Sequence, residues 1–236
     1  LFQSVSPKTA DFIGKVVNAA KDQLDADIAF LSAFDGDRKV IRRTAGDGET
    51  VGLVEGRSFA LQDTYCHRVV KGTLPNIIAD ARNDARVKEL PITDELKIGA
   101  YVGVPITLPD GRVYGTLCCV SQRADTSLTR RDVKFMRVLA DLVAGQLHLE
   151  EAAIEERRLK TARIRSLSQN HGFKVVFQPV VDLANGTIVG AEALSRFDVE
   201  PRRSPDLWFK EASEVGLGLE LEMLAVRSAI AQIGGF

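Results

Sequence analysis

Gly99-Ala100-Tyr101-Val102-Gly103-Val104-Pro105-Ile106, the turn Pro109-Asp110-Gly111, and Val113-Tyr114-Gly115-Thr116-Leu117-Cys118-Cys119-Val120 decide the fold of the first part of the chain. Two apolar runs separated by Pro-Asp-Gly read as antiparallel strands joined by a hairpin. A second such pair lies upstream, where Ile28 to Phe34 runs into Asp35-Gly36-Asp37 and Lys39 to Thr44 follows. Before it, Ser6 and Pro7 open a helix whose apolar stripe is Ala10, Ile13, Val16, Val17, Ala20 and Leu24. Between the hairpins, Gly46, Gly48, Gly52 and Gly56 punctuate a loop. A short helix follows, capped by Asp63, with Val69 and Val70 inward and Gly72 as its stop. Leu74 to Ala79 resembles a strand, and Asp80 to Lys97 a charged loop or helix broken at Pro91. Strands and helices linked by hairpins rather than regular crossovers indicate an antiparallel α+β domain.

Downstream, Thr129 and Asp132 have the spacing of a capping box. They open a helix whose inner face carries Met136, Ala140, Val143 and Leu147. The same spacing continues through Glu150, Ile154, Arg157, Thr161 and Ile164, a connector with partial coiled-coil character and the basis for expecting a homodimer. After Asn170-His171-Gly172 the pattern changes. Phe173 to Leu183 and Thr187 to Phe197 read as strands around a two-residue Asn185-Gly186 turn. Pro205 starts a helix to about Glu214, Gly216 and Gly218 break it, and another runs from about Leu219 to Ile233. The divisions are therefore 1–149, a helical connector 150–172, and 173–236.

Composition bounds the function. Of 236 residues, 45% are hydrophobic, too many for a disordered chain. With 31 Lys+Arg against 32 Asp+Glu, a formal charge of -1 gives no general pull toward nucleic acid or an anionic membrane. No run of about 18 apolar residues exists to span a bilayer. Three cysteines, two of them adjacent, suit thiols in a reducing compartment, the cytoplasm being the simplest. Leu1 and Gly234-Gly235-Phe236 read as cut ends, which leaves open a removed targeting segment.

Chemistry concentrates in Gly190-Ala191-Glu192-Ala193-Leu194-Ser195-Arg196. Strand alternation puts Glu192, Leu194 and Arg196 on one face, with the carboxylate and guanidinium about 13 Å apart at about 3.3 Å per residue. That is too far for a direct ion pair. Either each charge finds its own partner in a core, or Glu192 ligates Mg²⁺ or a similar ion while Arg196 faces a phosphate.

Phe177-Gln178-Pro179-Val180-Val181-Asp182-Leu183, Asn185-Gly186 and Ile188-Val189-Gly190-Ala191-Glu192-Ala193-Leu194-Ser195-Arg196 strongly resemble the opening of EAL domains, the cyclic di-GMP phosphodiesterases. Trp208-Phe209-Lys210-Glu211-Ala212 and Glu214-Val215-Gly216-Leu217 resemble the helix that follows. The resemblance implies metal binding (Mg²⁺ or Mn²⁺ in the complete domain) by Glu192, dinucleotide contacts from Leu194 and Arg196, and a nucleotide-lining role for Gln178. The family's barrels follow a (β/α)₈ plan of about 250 residues, and the 64 residues from 173 to 236 supply only its first strands and helices. The family's other metal ligands and its catalytic lysine come from later strands. The chain as written is therefore expected to leave cyclic di-GMP uncut.

Ala10 to Leu149 resembles a GAF domain, through the order of elements, Leu74-Pro75-Asn76, the Gly99 to Ile106 run and Gly115-Thr116-Leu117-Cys118. GAF domains carry a central antiparallel sheet flanked by helices and often bind a small ligand, which the family name does not identify. The fold class implied is α+β: a GAF domain, a long helical connector, and the first β/α elements of an incomplete EAL-type barrel. The function implied is a bacterial, cytoplasmic signalling protein in which a GAF sensor regulates an EAL phosphodiesterase, with cyclic di-GMP as partner of the complete domain. The alternatives are a non-catalytic cyclic di-GMP receptor and a haem- or bilin-binding GAF sensor. For the last, Cys66-His67 superficially resembles the Cys-His pair that anchors bilin, but Arg68-Val69-Val70-Lys71-Gly72 follows it in place of the expected residues. A packed cysteine beside an exposed or hydrogen-bonded histidine is the plainer reading. His148 and His171 make no zinc cluster with the cysteines.

Overall fold

The computed structural model describes residues 5–169 and 172–233. The readings at Leu1, Asn170, His171 and Gly234-Gly235-Phe236 lie outside the described residues. The chain divides into two compact units, residues 1–151 and 152–236.

In the first unit, helix α1 (Pro7–Gln23) starts where the Ser6 hydroxyl accepts from the Thr9 N–H. Strands β1 (Ile28–Asp35) and β2 (Arg38–Gly46) form the first hairpin. The glycine-punctuated loop holds a helical turn, α2 (Gly48–Val51), capped by Asp47 and ended by Gly52 at φ 73°. Strand β3 (Ser58–Ala60), absent from the sequence reading, then pairs with β2. Helix α3 (Tyr65–Val70) is capped by Thr64, whose hydroxyl accepts from the His67 N–H; the expected cap, Asp63, ends a preceding 3₁₀ turn instead.

The strand read across Leu74 to Ala79 shrinks to β4 (Ile77–Ile78). Pro75 has no N–H to donate, and the Asn76 side-chain amide donates to the Gly103 carbonyl. Pro91 opens a short helix, α4 (Pro91–Glu95), rather than breaking one. Strands β5 (Ala100–Thr107) and β6 (Val113–Ser121) complete an antiparallel sheet of order β3-β2-β1-β6-β5-β4.

Both faces of this sheet are covered. One packs Leu31, Val104, Leu117 and Cys119 against α1 and the start of α5 (Arg130–Gln169). The other packs Phe30, Ile41, Tyr101, Cys118 and Val120 under α3 and the loops around α2 and α4. Strand alternation sends Cys118 and Cys119 to opposite faces of the sheet, and both are buried, each in its own core. Thr129 and Asp132 make the expected contacts at the start of α5, with the Thr129 N–H and hydroxyl both donating to the Asp132 carboxylate.

The inner face of α5 packs within the first unit, whereas Ile154, farther along the same spacing, is exposed. Met136, Ala140, Val143 and Leu147 are buried against the sheet and α1. A different stripe is left bare: Val138, Leu142 and Leu149 are more than half exposed, with Gly145 at the same spacing.

In the second unit, β7 (Phe173–Val181) and β8 (Ile188–Phe197) form an antiparallel pair. Their connection is longer than a two-residue turn. Asp182 organises it, accepting from the Ala184 N–H and the Asn185 side-chain amide, while Asn185 accepts from the Thr187 N–H and Gly186 sits at φ 71°. Helices α6 (Pro205–Glu214) and α7 (Gly218–Ile233) follow. Fully buried Trp208 stacks on Phe197 at 5.3 Å and, with Ile164, Leu167, Ala212, Leu217 and Leu221, makes a small core. The buried Glu211 carboxylate lies between Arg163, at 3.2 Å, and Arg203, whose guanidinium covers the Trp208 ring at 3.9 Å.

Candidate functional site

The β7–β8 register builds the first candidate site. Residues directly opposed in an antiparallel pair share a face. Gln178 pairs with Glu192, Val176 with Leu194, and Lys174 with Arg196, so all four residues singled out in the sequence lie on one face of the ribbon. The other face carries Phe173, Val175 and Phe197, which turn toward the small core. Gln178, Glu192 and Arg196 are exposed and Leu194 is half-buried. The Arg196 guanidinium donates to the carbonyl of Ser195 and makes no ion pair with Glu192.

This face can present a carboxylate, an amide and a guanidinium in fixed order to a phosphate-bearing ligand. It does not make a metal site by itself. Mg²⁺ takes about six oxygens in octahedral array, and among the described residues no group of three or more His, Cys, Asp or Glu could hold an ion.

In the second candidate, the twist of the first turn of α3 sends the adjacent Cys66 and His67 to different sides. His67 is half-buried, whereas Cys66 points inward and is 1% exposed. Its Sγ lies 3.5 Å from Cys118 Sγ and 3.7 Å from the Tyr101 hydroxyl, which also reaches Cys118 at 3.4 Å. Tyr101 can lie there because Gly103, next on the same strand face, has no side chain: a Cβ at that position would stand 1.9 Å from the phenol oxygen. Tyr65 meets the Tyr101 ring edge-on at 5.2 Å and shares a 2.7 Å hydrogen bond with Thr93.

Lys39 completes the group. It is 2% exposed, with Nζ 4.4 Å from the centre of the Phe30 ring. Burial pushes the Cys66 thiol up, but the Cys118 hydrogen bond and the Lys39 charge outweigh it and hold the thiol well below its usual range. Cys118 moves the other way, raised by burial and then by Cys66. Sequence reasoning missed Lys39, which looked like an ordinary hairpin residue. The available signal was its place two residues before Ile41, on the same face of β2.

The comparisons agree with this architecture. The GAF domain family model matches residues 10–147, and the EAL domain model matches 158–236. A cyclic di-GMP phosphodiesterase of Pseudomonas aeruginosa is 27% identical over 57% of this chain and 22% of its own length. The probable cyclic di-GMP phosphodiesterase PdeB of Escherichia coli is 39% identical over 30% of this chain and 14% of its own. The chain thus spans less than a quarter of either relative.

Among solved structures, the blue-light absorbing form of the Thermosynechococcus elongatus PixJ GAF domain has a TM-score of 0.51 at 16% identity, covering 71% of this chain and 99% of that one. The GAF domain of an Acinetobacter phosphoenolpyruvate-protein phosphotransferase has 0.50 at 18%, covering 65% and 89%. At these identities the likeness extends to the fold alone. No helix among the described residues is long and apolar enough to cross a membrane. The chain belongs to the GAF domain family, and its GAF domain is followed by the N-terminal segment of an EAL domain.

Proposed function

We propose that this chain is the sensor and the opening of the output domain of a cyclic di-GMP signalling protein, in which the state of the GAF domain regulates an EAL phosphodiesterase. The observation that carries the reading is the β7–β8 register, which sets Gln178 opposite Glu192 with Leu194 and Arg196 on the same face. EAL domains are generally divalent-metal dependent. In a barrel with its later strands, Glu192 would be one ligand of Mg²⁺ or Mn²⁺, and Gln178, Leu194 and Arg196 would hold the dinucleotide.

Glu192 supplies one carboxylate, short of what an ion clamping attacking and leaving oxygens requires. The 236 residues alone are therefore expected to leave cyclic di-GMP intact. Chromatography of cyclic di-GMP incubated with the purified chain and Mn²⁺ checks this; linear product lost on Glu192→Ala would contradict it. In a longer polypeptide with the barrel completed, Glu192→Ala should abolish hydrolysis, and Arg196→Ala should raise KM more than it lowers kcat. Full activity of Glu192→Ala there would remove Glu192 from the metal site.

The bare stripe Val138, Leu142, Leu149 is the face we assign to a second copy of the chain. Light scattering should give a dimer mass for the wild type and a monomer for Leu142→Lys; a wild-type monomer at high concentration would end that assignment. The three buried free thiols fit a reducing, cytoplasmic setting. The inward position of Cys66 gives a chromophore no attachment point, so the purified protein should have no visible absorption band.

A further inference from the structure

We propose that Cys66 and Cys118 form a peroxide-reactive dithiol inside the GAF domain, a modification site at which a small hydroperoxide is reduced as the two thiols close into a disulfide. The sulfurs lie 3.5 Å apart, in contact but unbonded. A contraction of about 1.5 Å brings them to the usual S–S length of about 2.05 Å.

Lys39 supplies what separates a reactive pair from two packed thiols. Its amine is almost fully buried over the Phe30 and Phe59 rings, and among the described residues no carboxylate pairs with it. A buried charge needs a counter-charge, and the Cys66 thiolate is the anion this pocket offers. Cys118 keeps its proton, donating it toward the Cys66 thiolate across the 3.5 Å contact. One thiolate beside one protonated thiol is the asymmetry a two-step oxidation uses.

In the first step the Cys66 thiolate attacks an oxygen of the hydroperoxide ROOH. An S–O bond forms, the O–O bond breaks, and RO⁻ leaves, taking a proton to become ROH. In the second, Cys118 loses its proton and its sulfur attacks the sulfenic sulfur. The S–S bond forms, the S–O bond breaks, and hydroxide leaves with that proton as water. Overall, two thiols and one hydroperoxide give one disulfide, one alcohol (or water) and one water. Each sulfur gives up one electron and the peroxide bond takes two. Burial restricts the reaction to small oxidants admitted by local opening, with hydrogen peroxide the smallest. Cys119, in the opposite core and pushed up to about 12 by burial, lacks both features and serves as an internal control.

The test treats the reduced 236-residue chain with hydrogen peroxide, then alkylates it under denaturing conditions and maps its peptides by mass spectrometry. The expected result is a Cys66–Cys118 cross-linked peptide, two hydrogens lighter, with Cys119 alkylated and the bridge reversed by dithiothreitol. Cys119→Ser should form the bridge at the wild-type rate, and Lys39→Met should form it about tenfold more slowly or worse. Both thiols remaining alkylatable, a bridge to Cys119 or between chains, or oxidation of Cys66 to sulfinic acid without a bridge would each overturn the proposal. Wild-type kinetics in Lys39→Met would overturn the role given to Lys39. The wild-type map stands even if that variant fails to fold.

Discussion

Cys119 and Tyr65 are two of several buried groups that set the first unit's response to alkali. Burial raises Cys119 from an ordinary 9.0 to about 12, with the Lys21 charge opposing. Burial likewise raises Tyr65 from 10.0 to about 12, with the Thr93 hydrogen bond opposing. Both groups hold their protons more tightly folded than unfolded. Their contribution is complete below the unfolded values and is lost as pH rises toward about 12. Cys66 has the opposite sign: its thiolate stabilises the fold above its unfolded value, and that contribution is lost as pH falls through its depressed folded one. Denaturant midpoints should therefore fall as pH climbs from 9 to 12. Cys119→Ala should fall less, and an equal loss in both proteins would contradict the assignment. None of this was legible in Cys118-Cys119. Alternation gave their opposite faces, but that both faces are covered depends on α3 and its neighbouring loops, whose packing is non-local.

At the scale of elements, the second unit hangs on α6. Glu211 links that helix to Arg163 of α5 and to Arg203, so removing one carboxylate strands two cations at a largely buried site. Glu211→Ala should destabilise this unit by about 3 kcal/mol, read from its urea midpoint. A loss under about 1 kcal/mol would mean that solvent satisfies both arginines. The sequence marked α6 clearly, through Pro205 and the Gly216 stop, and marked β5–β6 through Pro109-Asp110-Gly111, because each of these signals acts within a few residues of itself. It misjudged Leu74 to Ala79 and the Asn185-Gly186 turn. In the first, strand length depends on a partner distant in sequence. In the second, Asp182, outside the dipeptide, draws the backbone into a wider loop. Glu192 and Arg196 could be put on one face from alternation alone; Gln178 joined them only through register, which is a property of two strands together.

For the molecule as a whole, the hydrophobic residues fall into separate cores, two flanking the six-stranded sheet and a small one around Trp208. Heating should accordingly give two transitions. Trp208→Ala, which empties the centre of the small core at a cost of about 3 to 5 kcal/mol, should lower one and leave the other in place. A single transition shifted as one would show that the cores melt together.

The six-stranded sheet ends in strands of three and two residues, β3 and β4, which offer an incoming chain almost no ladder to extend. The β7–β8 ribbon offers nine- and ten-residue strands, neither paired on its outer side among the described residues, with Val180, Val181, Ile188 and Val189 near one end open to water. Colloidal instability in this polypeptide should therefore begin at 173–197, and a lysine introduced at Val189 would be the economical gatekeeper.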